Sequence, residues 1–405
     1  MRAYERLISY VKIHTTSSET SGTHPSFAGE WDLAKLLCEQ LKELGADEVR
    51  LDERCYVYAK FHATAGCEAA PALGFLAHMD TAPDASGENV RPLLHENYNG
   101  EDIRFENGRE LSPDEFPFLK DMKGETLITS DGTTLLGADD KAGVAEIMAA
   151  LERIREENLP HGPLRVCFTP DEEIGEGADF FDVEYFDAAY AYTVDGGDVN
   201  EVECENFNAA GAEILFRGKS VHPGSAKDIM INASKLAIAF QEMLPEEECP
   251  EKTEKKEGYF HLTHMEGRVG EAKLQYILRD FDKEGFEKRK QLLTDCAVAI
   301  NEKYGAGTAE LHMKDQYYNM LEMITPHMHL IENAKAAIRA VGLDPIVTPV
   351  RGGTDGARIS FMGLPCPNLG TGGFNFHGEY ECITAERMDK AVEVLLRLIE
   401  TYRTF

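Results

Sequence analysis

No apolar run in the 405 residues approaches the ~20 that a membrane-spanning helix needs, and the opening Met1-Arg2-Ala3-Tyr4-Glu5-Arg6 has no signal-peptide apolar core. Basic residues are scarce. There are 41 Lys and Arg against 72 Asp and Glu, a formal net charge of -31. Such a surface repels phosphate backbones and anionic lipid, which argues against nucleic acid and membrane as partners. The nine cysteines are odd in number, and no two form a CxxC. That pattern excludes a disulfide framework and points to a reducing compartment, so the expectation is a soluble cytoplasmic protein.

Several catalytic motifs are also missing. There is no HExxH, since His95-Glu96 is followed by Asn99 where the second histidine should stand. Arg217-Gly218-Lys219-Ser220 ends like a phosphate-binding loop, yet Glu213 occupies the position of its first glycine. No GxSxG nucleophile elbow occurs. The pairs His261/His264 and His327/His329 complete no ligand set.

What is present suits a globular enzyme of two domains: 43% hydrophobic residues, enough to bury real cores, and 28% charged. Residues 2–13 and 30–44 have helical periodicity, with Leu33, Leu36, Leu37, Leu41 and Leu44 on one stripe and Gly45 as a stop. Residues 56–61, 73–77, 164–168 and 189–194 are apolar, strand-like runs, and a helix opens near Asp139 with Val144, Ile147, Met148, Leu151 and Ile154 aligned. A long polar segment covers about 84–133. Strands alternating with helices predict an α/β domain with a mainly parallel sheet covered by helices. From about residue 207 the order changes to strand 212–216, helix 229–243, strands 259–265 and 274–281, helix 284–304 and strand 309–312, a ferredoxin-like α+β pattern. The α/β texture returns after about 320, with helices at 328–341 and 384–402. The expected domains are therefore 1–206 with 321–405, and an inserted 207–320.

Five segments carry chemistry, all resembling strand ends running into loops. His78 stands in Leu76-Ala77-His78-Met79-Asp80-Thr81, where extended backbone turns Asp80 to the same side. Asp139 and Asp140 open a helix; one aspartate suffices as a cap, which leaves the other to bridge metals. Asp171, Glu172 and Glu173 follow a buried strand, so one can bind metal while a neighbour serves as base. Asp195 follows Tyr192-Thr193-Val194, and His377 sits in a glycine-rich loop. Taken singly, each segment has an ordinary structural explanation. Together they offer nitrogen and oxygen ligands without thiolate, which suits a catalytic zinc site with Co2+ or Mn2+ as substitutes. A carboxylate shared by two metals would hold them about 3.5–4 Å apart.

In this order, across essentially the whole chain, the segments resemble the di-zinc peptidase family that includes aminoacylases, glutamate carboxypeptidases and succinyl-diaminopimelate desuccinylases. Further stretches, at 133–148, 193–197, 205–209, 221–226, 351–357 and 360–367, resemble its tripeptide aminopeptidase branch. The resemblance implies that His78 and Asp195 ligate one zinc, that Glu173 and His377 ligate the other, and that Asp139 bridges them. Asp80 would orient His78. Glu172 would be the general base, moving a proton from a water between the metals to the leaving amine. His222, in Val221-His222-Pro223-Gly224, would donate to the substrate's developing oxyanion, Arg351 would pair with a peptide carboxylate, and Asn375 would face substrate. The inserted domain would be a lid that also dimerises the chain. The implied reaction removes the N-terminal residue from short peptides with a free amine, preferably tripeptides. The rival readings are an N-acyl amino acid deacylase or a dipeptidase on the same site, and a non-catalytic metal-binding homologue, against which the spare carboxylate of Glu172 speaks.

Overall fold

The computed structural model describes residues 1–405 and contains two compact units. The first comprises Met1–Cys204, Glu322–Thr348 and Thr354–Phe405; the second comprises Glu205–Leu321 and Pro349–Gly353. No helix is long and apolar enough to cross a membrane.

The chain opens with helices α1 (Ala3–Tyr10) and α2 (Glu30–Glu43), then strands β1 (Glu48–Leu51), β2 (Val57–Phe61) and β3 (Leu73–His78). Helix α3 (Ala138–Glu157), β4 (Leu164–Thr169), β5 (Tyr190–Val194) and β6 (Glu201–Asn206) follow. The second unit contributes β7 (Asn208–Arg217), α4 (Ala233–Gln241), β8 (Tyr259–Gly267), β9 (Glu271–Asp280), α5 (Lys283–Tyr304) and β10 (Ala309–Tyr317). The chain ends with α6 (His329–Ala340), β11 (Ile346–Val350), α7 (Asp355–Phe361), β12 (Asn368–Leu369) and α8 (Ala385–Tyr402).

Eight strands form the large sheet in the order β1-β2-β4-β3-β5-β12-β6-β11. Its centre is parallel, with β3 between β4 and β5 and β12 beside β5. The antiparallel pairings β1–β2, β2–β4 and β6–β12 flank it. Every residue of β3 and of β4 is buried, as a strand covered on both faces requires. Helix α3 packs on β3 and against α1 and α8. Its Val144, Ile147, Met148, Leu151 and Ile154 are all buried, at roughly 1.5–3 kcal/mol per large side chain relative to exposure. The parallel strands β3, β4 and β5 end together, so His78, Thr169 and Val194 bring the next residues of each chain segment to one edge.

The second unit's sheet runs β8-β9-β7-β10, antiparallel throughout, with the β-α-β-β-α-β order of a ferredoxin-like fold. Strand β9 alternates strictly. Ala272, Leu274, Tyr276 and Leu278 face a core shared with Leu236 and Phe240 of α4 and Phe286, Leu293 and Ile300 of α5. Helix α4 starts at Ala233 rather than at 229. Ile231 is held in an extended bridge to Lys219, and the Asn232 side chain caps the helix by accepting the N–H of Ser234 at 3.0 Å.

Candidate active site

His78 is the last residue of β3 and is 2% exposed. Its Nδ1 lies 3.1 Å from the backbone oxygen of Asp80 and 3.3 Å from that residue's Oδ1. An acceptor behind Nδ1 holds a proton there and leaves Nε2 as the nitrogen that would face a cation once its own proton is lost. Nε2 faces Asp139 Oδ1 at 3.0 Å and Asp195 Oδ1 at 3.8 Å. The other Asp139 oxygen, Oδ2, lies 3.3 Å from His377 Nε2, which is also 3.0 Å from Glu173 Oε2. The structure thus gathers His78, Asp139, Glu173, Asp195 and His377 around one point, with Asp139 between the two imidazoles.

The local backbone explains this arrangement. Asp139 and Asp140 have non-helical dihedral angles at the start of α3. Asp140 spends both oxygens on backbone: Oδ2 accepts the N–H of His78 at 3.1 Å, and Oδ1 accepts that of Gly143 at 3.2 Å. Asp139 is left to face the histidines. Gly143 is required for close approach, because a Cβ there would lie 1.8 Å from the carbonyl oxygen of Val194, the residue before Asp195. Asp80 is fully buried, and its carboxylate also reaches the third segment: Oδ1 accepts the N–H of Glu172 at 3.0 Å and Oδ2 that of Glu173 at 3.1 Å.

Burial drives the electrostatics. Desolvation, with neighbouring acids, pushes the carboxyls of Glu172, Asp195 and Asp140 well above the usual carboxylate range and Glu173 up to about 7. Asp139 is desolvated too, yet hydrogen bonds with His377 and His78 hold it below that range. Hydrogen bonds with Asp139 and Glu173 raise His377 to about 11. Glu173 Oε1 is buried with no hydrogen-bond partner. Two sets, His78/Asp139/Glu173 and His78/Asp140/Asp195, have ligand atoms within 4.8 Å of one another. Crowded, desolvated carboxylates with an orphan oxygen and two imidazole nitrogens form a donor set that divalent cations satisfy.

The remaining sequence candidates have local partners. Asn375 has a positive φ of 56° and donates from Nδ2 to the carbonyl of Tyr380, which shapes the loop carrying His377. His222, exposed in the second unit, accepts the N–H of Gly224 on Nδ1 at 3.1 Å, so its Nε2 carries the proton. Arg351 is exposed and donates to the carbonyl of Lys255 at 2.5 Å, with its guanidinium over the rings of Phe207 and Tyr259. Sequence reasoning missed Glu381. This carboxylate is 1% exposed and accepts the backbone N–H groups of Leu136, Gly137 and Asp139. Its one signal is its position, four residues after His377.

The chain is similar to known proteins over nearly its whole length. Peptidase T of Clostridium perfringens is 54% identical over 402 residues, covering 99% of each chain. The crystal structure of aminopeptidase PepT from Bacillus cereus superposes with a TM-score of 0.79 at 23% identity, covering 99% of this chain and 98% of that one. A dinuclear metal-binding peptidase of the M20 family from Bacillus subtilis superposes at 0.65 with 16% identity, covering 100% of this chain and 99% of that one. The model of peptidase family M20/M25/M40 matches residues 130–401, and the chain belongs to that family.

Proposed function

We propose that this chain is a cytoplasmic zinc aminopeptidase that removes the N-terminal residue from short peptides, preferably tripeptides. The observation that carries the reading is the Asp139 carboxylate, with one oxygen against His78 and the other against His377. His78 and Asp195 would hold one cation, Glu173 and His377 a second, and Asp139 both. Zinc suits these donors, with Co2+ or Mn2+ as substitutes. When bound, the pair lowers the pKa of a water toward neutrality and polarises the scissile carbonyl. The full-length similarity to proteins named Peptidase T supports the aminopeptidase activity.

The chain's own residues do the rest. Asp80 fixes the backbone of Glu172 and Glu173, so the two adjacent carboxylates keep separate tasks. Beside bound cations Glu172 would be ionised despite its burial, and it takes the proton of the attacking water as that water's oxygen adds to the carbonyl carbon. When the C–N bond breaks, Glu172 returns that proton to the leaving amine nitrogen. His222, whose Nε2–H is a donor, stabilises the oxyanion. Arg351 and Asn375 are assigned to the substrate's carboxylate end and backbone. Residues 207–320 are assigned as the lid and dimerisation element of a homodimer, which sedimentation of the loaded protein tests.

Hydrolysis of a free-amine tripeptide by the zinc-loaded protein, abolished by chelation and restored by zinc, tests the reading. Undiminished hydrolysis after complete removal of metal contradicts it.

A further inference from the structure

Glu381 has no part in the chemistry above, yet its carboxylate accepts three backbone N–H groups. Oε2 accepts the N–H groups of Leu136 and Gly137, both at 2.7 Å, and Oε1 accepts that of Asp139 at 2.9 Å. These donors make up the turn that presents Asp139. Glu381 is also four residues from His377, and the chain between them is tied down. Its own N–H donates to the carbonyl of Gly378 at 3.1 Å, and Asn375 Nδ2 donates to the carbonyl of Tyr380 at 3.2 Å. The next three residues, Cys382–Thr384, pair with Leu127–Thr129 as a strand. One buried carboxylate therefore closes a short, stiff path between the loop of His377 and the backbone of Asp139.

A glutamate serving only the fold could take any free N–H. Here one of the three is Asp139's own, so the carboxylate fixes the direction in which the Asp139 side chain leaves the backbone. We propose that Glu381 is a positioning residue of the metal centre: it sets the approach of the Asp139 carboxylate to the His377 imidazole, 3.3 Å between Oδ2 and Nε2, so that one cation can use both. The inference rests on reading Asp139 and His377 as ligands. Groups held in advance need no reorganisation when the ion arrives, and supporting partners of this kind are typically worth about 10–100-fold in metal affinity or activity.

The test is Glu381→Gln. The amide keeps the side chain's shape, and its single oxygen can retain the N–H groups of Leu136 and Gly137. Its nitrogen then meets the N–H of Asp139, donor against donor, so the damage falls on Asp139. Chelated wild-type and variant proteins are titrated with Co2+ while its visible absorption is recorded. Thermal melting of the chelated proteins, and kcat and KM at saturating zinc, are measured alongside. Expected are Co2+ binding about 10–100-fold weaker at one site or more, a changed Co2+ spectrum, and a lower kcat with KM little altered, while the chelated variant melts close to wild type. Unchanged affinities and spectrum would overturn the proposal. If the variant does not fold, Glu381→Asp, which keeps the charge but withdraws the carboxylate by one methylene, decides by the same criteria. A wild-type protein that binds fewer than two Co2+ overturns the ligand reading itself, an outcome distinct from a Gln variant that matches a wild type binding two.

Discussion

Asp80 accepts the backbone N–H of Glu172 at 3.0 Å, although 92 residues separate them in the chain. The same carboxylate reaches the N–H of Glu173 and the imidazole of His78. It couples His78, a proposed ligand, to the loop that carries Glu172, the proposed base, and Glu173, a further proposed ligand. Asp80→Asn keeps one acceptor oxygen and turns an amide donor toward the remaining N–H. The variant should fold and lose about 10–100-fold in kcat/KM on a tripeptide, with weaker zinc binding. Steady-state kinetics and a competitive zinc titration check this; a variant equal to wild type in both would leave Asp80 without the role.

Glu172→Gln separates binding from turnover. The amide cannot take a proton, whereas the five assigned ligands are untouched. Metal content by elemental analysis should match wild type, and kcat should fall by about 10²–10⁴-fold. Retained turnover would move the base to another residue.

Three of the candidate site's five segments were legible because they end apolar runs: His78 closes β3, Glu172 and Glu173 follow β4, and Asp195 follows β5. Parallel strands of that kind end at one edge, so three distant segments meet without knowledge of their order in the sheet. Glu381 was not legible. Its partners lie 242 to 245 residues away and are backbone N–H groups, which leave no trace in side-chain type. The residue pattern alone showed Asp139 and Asp140 only as one cap and one spare carboxylate, and the family resemblance named Asp139 as the bridge; the structural reason is that Asp140 is spent on the N–H groups of His78 and Gly143. In the second unit β10 runs to Tyr317, well past His312. Its later residues alternate in exposure, and their pairing with β7 is decided by backbone register rather than by an apolar pattern.

Glu30, which is not among the proposed ligands, gives a pH prediction. It is fully buried, accepts the N–H groups of Phe27 and Asp171, and burial together with the charges of Asp80 and Asp171 lifts its carboxyl to about 10. The sign follows from linkage. The folded protein keeps this proton where the unfolded chain, with a value near 4.5, has lost it. Its contribution to stability is full below that lower value and declines as pH rises toward about 10, by at most about 1.4 kcal/mol per pH unit. Glu30→Gln does not titrate. Urea unfolding at several pH values should therefore show the variant gaining on wild type between about pH 5 and pH 9. A gap independent of pH would mean that Glu30 does not carry the proton.

The most direct measurement compares hydrolysis of a free-amine tripeptide with that of its N-acetylated twin by the zinc-loaded protein, with a chelator control. The expected result is release of the first residue from the free-amine peptide alone, lost on chelation. Cleavage of the acetylated twin alone would contradict the aminopeptidase assignment and make the chain a deacylase on the same metal site.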